Sequence, residues 1–150
     1  YRSSRYAGRH YAWEIERACG GDPRAEGPAQ DDCIARSPST YLHTAREAGV
    51  AVYLGHGLRD IIVDPRLSAR AFNQLADPGD RFTEEEIEEF RRGIVPETEP
   101  GSPAVETHFG DGDPRVLFAR ESASVRIVYF AAGHEMMYLA TMRWFASDPS

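Results

Sequence analysis

A chain of 150 residues, 41% hydrophobic and 27% charged, has the size and composition of one folded domain with its own core. Its net charge of −7 gives a nucleic-acid role little electrostatic support. No apolar run reaches the roughly 18 residues that a membrane-spanning helix needs, so no membrane span is expected.

Residues 1–36 read as an N-terminal arm followed by a loop. The start, Tyr1-Arg2-Ser3-Ser4-Arg5, lacks an initiator Met and has no apolar signal region behind it, as expected of a chain that begins at a processing boundary. All 17 basic residues are Arg, and Asn occurs only at 73. GC-rich coding bias accounts for that and says nothing about mechanism. A short helix or surface arm is expected around Tyr11–Ala18, then a loop over 19–36. Cys19 and Cys33 flank a Gly/Pro/Asp-rich stretch. Two thiols around a short polar loop suit one disulfide in an exported protein, against the alternative of two unrelated free thiols. With no close His pair they make no zinc motif, and neither a metal nor a cofactor is expected. A secreted or extracytoplasmic location follows from the disulfide reading.

Residues 37–76 read as helix, strand, loop, helix. Ser37-Pro38 opens the first helix, which stops at Gly49. Val50–Leu54 is a continuous apolar run, as in a strand buried on both faces of a parallel sheet. After the loop bearing Asp60, Asp64-Pro65 starts a helix whose face is marked by Leu67, Ala71, Phe72 and Leu75. Residues 77–116 read as an insertion. Asp77-Pro78-Gly79-Asp80 ends the preceding helix, and Thr83-Glu84-Glu85-Glu86 is a capping box. The helix it starts runs to about Gly93 with Ile87, Phe90 and Ile94 on one side. Its Glu run is a solvated face favoured by the helix dipole. Residues 95–114 are a Pro/Gly/Glu-rich loop. In the last region, 117–147, Val116–Arg120 is a short strand turning at Glu121–Ser124, and Val125–Phe130 is the second core strand. A closing helix is expected from Glu135 to about Phe145, with Met136, Leu139, Ala140 and Met142–Trp144 as apolar surface.

The chemistry-bearing residues sit where the two core strands end. Each apolar run stops at a Gly-bearing loop; one carries Asp60 and the other His134. A parallel sheet places such residues side by side at the carboxyl ends of its strands. A buried Asp that accepts a bond from a His Nδ1–H fixes the tautomer and stabilises the imidazolium formed during attack. Gly57 and Gly133 let the two loops turn and approach.

The order helix, strand, Asp loop, helix, insertion, strand, His loop, helix resembles the C-terminal part of the α/β-hydrolase fold. The prolyl-oligopeptidase-like and esterase branch is the nearest likeness. Ser37-Pro38, His56-Gly57-Leu58-Arg59-Asp60-Ile61-Ile62-Val63, and Gly133-His134-Glu135 with Trp144-Phe145 carry it, over roughly residues 37–147. The resemblance implies an α/β domain of parallel strands with flanking helices. It implies Asp60 and His134 as the orienting carboxylate and general base of a Ser-His-Asp triad. The nucleophile of that family sits on a Gly-x-Ser-x-Gly elbow, and no such pentapeptide occurs in this sequence. Ser102, Ser122 and Ser124 sit in turns without an elbow. The expected sheet is therefore completed by a second polypeptide that carries the Ser and the oxyanion hole. The two together would be an acyl hydrolase acting on a small ester or peptide. The alternative is a non-catalytic, hydrolase-like subunit that only binds or stabilises a partner.

Other candidates are weaker. His56 reads as a plug at the strand end, too early in the loop for catalysis. His10, His43 and His108 have no partner signal, Asp64 is a helix cap, and Asp111-Gly112-Asp113 is a turn without the rest of a calcium loop. Arg59, Phe109 and Glu135 are pocket-rim candidates.

Overall fold

In the computed structural model, which describes residues 8–96 and 114–147, helices flank a three-stranded mixed sheet in an α/β arrangement. The central strand is β3, Val125–Phe130, whose six side chains are all buried. Its β-branched and aromatic run suits a strand covered on both faces. β1, Val52–Gly57, pairs with it in parallel, from Val52 opposite Val125 to Gly57 opposite Phe130. β2, Val116–Ser122, pairs with its other side antiparallel. The spatial order β1-β3-β2 leaves β1 at the edge of the sheet among the described residues.

The sheet is thus mixed where parallel strands were expected. The parallel pair is present, but only Ala123 and Ser124 separate β2 from β3, and so short a link can join only an antiparallel pair. Ala123 carries this turn at φ 48°, a left-handed conformation unusual for a residue with a Cβ. β1 begins later than the Val50 expected and continues through Gly55-His56-Gly57. The ladder to β3 persists there and runs on to the Leu58 N–H, which donates to the Phe130 carbonyl at 2.9 Å.

The described residues form six helices: α1 (Gly8–Ala18), α2 (Pro28–Arg36), α3 (Leu42–Glu47), α4 (Arg66–Leu75), α5 (Glu84–Arg91) and α6 (Tyr138–Ala146). α4 and α5 cover one face. Phe72, Leu75, Phe82, Ile87 and Phe90 pack there against Phe118, Ile127 and Tyr129. Phe90 stacks on Tyr129 with ring centroids 4.2 Å apart and meets Phe82 edge-on at 5.0 Å. Val116, Ala119, Val128 and Phe130 form the opposite core with Met137 and Ala140 at the start of α6. Trp144 covers Tyr53 of β1 on that side.

Several expectations need correction. Residues 28–36, read as loop, are α2: Pro28 at the first helical position and the helix formers that follow support it. The helix expected from Ser37 to Gly49 breaks into a 3-10 turn, Pro38–Thr40, and α3. The Ser37 hydroxyl meets Ser39 instead of capping a backbone N–H. α6 starts at Tyr138 rather than Glu135, because Met137 drops into the core ahead of it. Leu67 and Ile94, expected on buried faces, are exposed. The α4 face that is buried runs through Ala69, Phe72 and Leu75, and Ile94 lies beyond the Gly93 that ends α5. The beginning of the 77–116 segment is core, since Phe82, Ile87 and Phe90 are buried. Its later part, with Phe109, lies outside the described residues.

Cys19 and Cys33 form a disulfide that ties the end of α1 to α2, with Cα atoms 5.3 Å apart. Among the described residues no helix is long and apolar enough to cross a membrane.

Candidate active site

The two loops leaving β1 and β3 meet because Gly57 has no side chain. A Cβ there would lie 1.9 Å from the Gly133 carbonyl oxygen and 2.6 Å from that of Ala132. Real Cβ atoms do not approach backbone so closely, so only glycine fits. Gly133 is less constrained: a Cβ at that position would find its nearest neighbour 4.0 Å away. The loops are then stitched backbone to backbone. Arg59 donates its N–H to the Ala132 carbonyl at 3.0 Å, and its guanidinium donates to the Ala131 carbonyl at 2.7 Å. Arg59 therefore clamps the Asp loop to the His loop.

This stitching brings Asp60 and His134 together across 74 residues of sequence. His134 Nδ1 lies 2.8 Å from Asp60 Oδ2. Since a carboxylate only accepts, Nδ1 carries the proton of this bond. The other carboxylate oxygen, Oδ1, accepts the N–H groups of Ile62 at 2.7 Å and Val63 at 3.0 Å. The Asp60 side chain is 4% exposed and the His134 side chain 54% exposed. Burial works against ionisation of Asp60. The Val63 N–H, the His134 hydrogen bond and the Ile62 N–H outweigh it and hold the carboxyl below its ordinary range. The pair is thus a buried, ionised carboxylate orienting a half-exposed imidazole. Nε2 of His134 makes no hydrogen bond among the described residues and is the basic nitrogen left for chemistry.

Beside it lies a cleft of about 780 Å³, lined by Gly55, His56, Gly57, Asp60, Val63 and Pro114 and by His134, Glu135, Met136 and Tyr138. Glu135 is thus at the cleft, while Arg59 is spent on the loop clamp. Among the described residues that line it there is no Ser, Thr or Cys. Nor do the described residues hold a cluster of three or more His, Cys, Asp or Glu placed to bind a metal ion.

His56 is buried, with its ring at the carboxyl end of β1. It is no mere plug: Nδ1 is 2.7 Å from the Ser68 hydroxyl, and Nε2 is 3.2 Å from the Val63 carbonyl and 3.6 Å from Asp60 Oδ2. Ser68, and the backbone contacts of Val63, escaped the sequence reading. Ser68 sits at an ordinary polar helix position, and Val63 acts through its backbone. Asp64 accepts the Arg66 N–H and grips the Arg66 guanidinium, which reaches on to Glu88 of α5. That cluster anchors the start of α4 away from the dyad. Among the described residues, His43 hydrogen-bonds only with Thr44 on its own helix. Ser122 donates to Asp80 and accepts the Asp77 N–H, a structural role. Ser102, His108, Asp111 and Asp113 lie outside the described residues.

The fold and site define an α/β chain with a backbone-clamped Asp-His pair at the carboxyl ends of two parallel strands. Comparison with family models, with curated proteins and with solved structures found no match for it.

Proposed function

We propose that this chain supplies Asp60 and His134 of a Ser-His-Asp triad in a two-chain serine hydrolase. The serine and the oxyanion hole belong to a partner polypeptide. One observation carries this reading: a buried, ionised Asp60 holds His134 Nδ1 at 2.8 Å, and Nε2 is left open beside a cleft whose described lining has no nucleophile. In this arrangement His134 Nε2 takes the serine proton as the hydroxyl attacks an acyl carbon, and returns it to the leaving group. Asp60 keeps the imidazole in the Nδ1–H tautomer and stabilises the imidazolium. Water then releases the acyl group through the same base. The substrate class is a small ester or peptide, and the disulfide suits an extracytoplasmic location.

The open edge of the sheet supports a partner. Val52 and Leu58 point their N–H groups at the β3 side. By the period of two, Gly55 and Gly57 turn their N–H groups to the outer edge, where no strand of the described residues pairs with them. α6, next to this edge, exposes Leu139, Met142 and Phe145, and Met136 and Tyr138 extend the apolar surface to the cleft. An obligate partner covers such surfaces.

A serine-directed fluorophosphonate tests the reading. Label is expected on a co-purifying chain and not on this one, and blocked by His134→Ala. Stoichiometric label on a serine of this chain would overturn the missing-nucleophile assignment. A stable complex that never labels and hydrolyses nothing favours the other reading, a hydrolase-like subunit that only binds or stabilises its partner.

A further inference from the structure

We propose that His56 is a positioning residue for Asp60: an imidazole held in one tautomer by Ser68 that fixes the Val63 carbonyl and so aims the carboxylate at His134. The proposal rests on the catalytic reading of Asp60 and His134 for its consequence, but its geometry stands separately. A carbonyl oxygen only accepts, so the 3.2 Å contact to Val63 needs the proton on His56 Nε2. In a neutral ring Nδ1 is then an acceptor, and the Ser68 hydroxyl at 2.7 Å must donate to it. One arrangement satisfies both contacts. It joins three elements: the ring comes from the end of β1, the hydroxyl from the first turn of α4, and the carbonyl from the Asp loop between them.

Val63 is the residue through which this clamp acts. Its carbonyl is held by His56 while its N–H donates to Asp60 Oδ1. Fixing Val63 therefore fixes one oxygen of the carboxylate and turns the other toward His134. His56 Nε2 itself stands 3.6 Å from Asp60 Oδ2, close enough to favour the carboxylate but too far to take its hydrogen bond from His134. A charged His56 would compete for that oxygen. Burial keeps the ring neutral by lowering its pKa. The Val63 carbonyl and Asp60 oppose the shift, His134 adds to it, and Asp64 opposes it. Ser68 and the Tyr129 ring at 6.1 Å, whose hydroxyl donates to the Pro65 carbonyl, bring no charge to it, and Glu135 lines the same cleft. Two histidines thus share one carboxylate with separate tasks, His56 holding it and His134 using it.

The experiment is histidine-selective 15N NMR on the full chain, with any chain that accompanies it. His56 is expected in the Nε2–H tautomer, with its protonation midpoint below the ordinary histidine value of about 6.5. The His134 Nδ1 proton is expected far downfield, as in a bond to a carboxylate. His56→Leu should lose or shift that proton; His56→Gln, which keeps a donor near the Val63 carbonyl, should retain it. Ser68→Ala should move the His56 Nδ1 shift and leave the fold unchanged. In hydrolysis assays His56→Leu should lower kcat by about 10–100-fold with little change in KM, and His56→Gln should recover most of it. Where His56→Leu does not fold, Ser68→Ala and His56→Gln decide. A His56 in the Nδ1–H tautomer, a His56 Nδ1 shift that ignores Ser68→Ala, or an unshifted His134 proton in a folded His56→Leu overturns the proposal. If the protein hydrolyses nothing, the catalytic reading fails, while the NMR signature still decides the role of His56.

Discussion

Asp60 satisfies three hydrogen bonds with two oxygens, so its replacement should be felt in activity before stability. Asp60→Asn offers a donor where His134 Nδ1–H needs an acceptor, and His134→Ala removes the base. On the proposed triad reading, each is expected to cut turnover by about 10⁴, the scale seen when a triad imidazole loses its orientation. A steady-state assay with near-native melting curves checks this, and full activity in either variant ends the assignment. Acid stability separates the two groups around the carboxylate. His56 has a folded pKa below its ordinary 6.5, so the unfolded chain takes up its proton first. The fold should lose stability as pH falls from about 6.5 toward that lowered value. Asp60 is also lowered, so its contribution is fully present above its ordinary 3.8 and is lost only as pH falls further, through its folded pKa. Urea midpoints across pH should therefore fall in two windows, and His56→Gln should flatten only the higher one. Gly57→Ala would drive a methyl into the Gly133 carbonyl and should cost more than about 2 kcal/mol.

At the scale of the element, α5 and the β2–β3 turn make opposite tests. Thr83 and Glu86 complete a reciprocal capping box, with the Thr83 hydroxyl accepting from the Glu86 N–H and the Glu86 carboxylate from the Thr83 N–H. Thr83→Ala should destabilise by about 1 kcal/mol in denaturant melts. Ala123 stands at φ 48°, so Ala123→Gly should stabilise by up to about 1 kcal/mol. A loss of stability there would mean that the turn is held differently. The helical arm behaves as a third element. α2 buries no side chain, none of residues 12–18 of α1 is buried, and the disulfide from the buried Cys19 just beyond α1 ties α1 to α2. Non-reducing peptide mapping should recover Cys19 linked to Cys33. Reduction should lower helical signal while leaving the main unfolding transition nearly in place.

For the whole molecule, the proposed two-chain reading is tested by how much apolar surface a second chain would cover. A sheet shared along the β1 edge with α6 beside it calls for an obligate interface above about 2,000 Å². The chain produced alone should then aggregate or lack a cooperative transition, and co-production with the partner should restore one. A monodisperse, cooperatively unfolding monomer would remove the argument for a split sheet.

Local rules were enough for much of this. The capping box at Thr83, the strand at Val125–Phe130, the pairing of Cys19 with Cys33 and the parallel relation of the two core strands were legible, because each depends on neighbours in sequence or on a continuous apolar run. Leu67 and Ile94 were misread because a helical stripe shows only that a face is apolar; the partner surface decides which residues of it are covered. α2 was missed because a Gly/Pro/Asp-rich composition hides a start at Pro28. The nearness of Asp60 and His134 was an expectation from order and resemblance. What only the tertiary structure decided is how that nearness is held: by the missing Cβ of Gly57 against the Gly133 carbonyl, by Arg59 across the two loops, and by Ser68 through His56 and Val63. Those contacts join residues far apart in the chain, often through backbone atoms every residue carries. Residue type therefore encodes the groups available for chemistry, and the meeting of loops decides which of them act on one another.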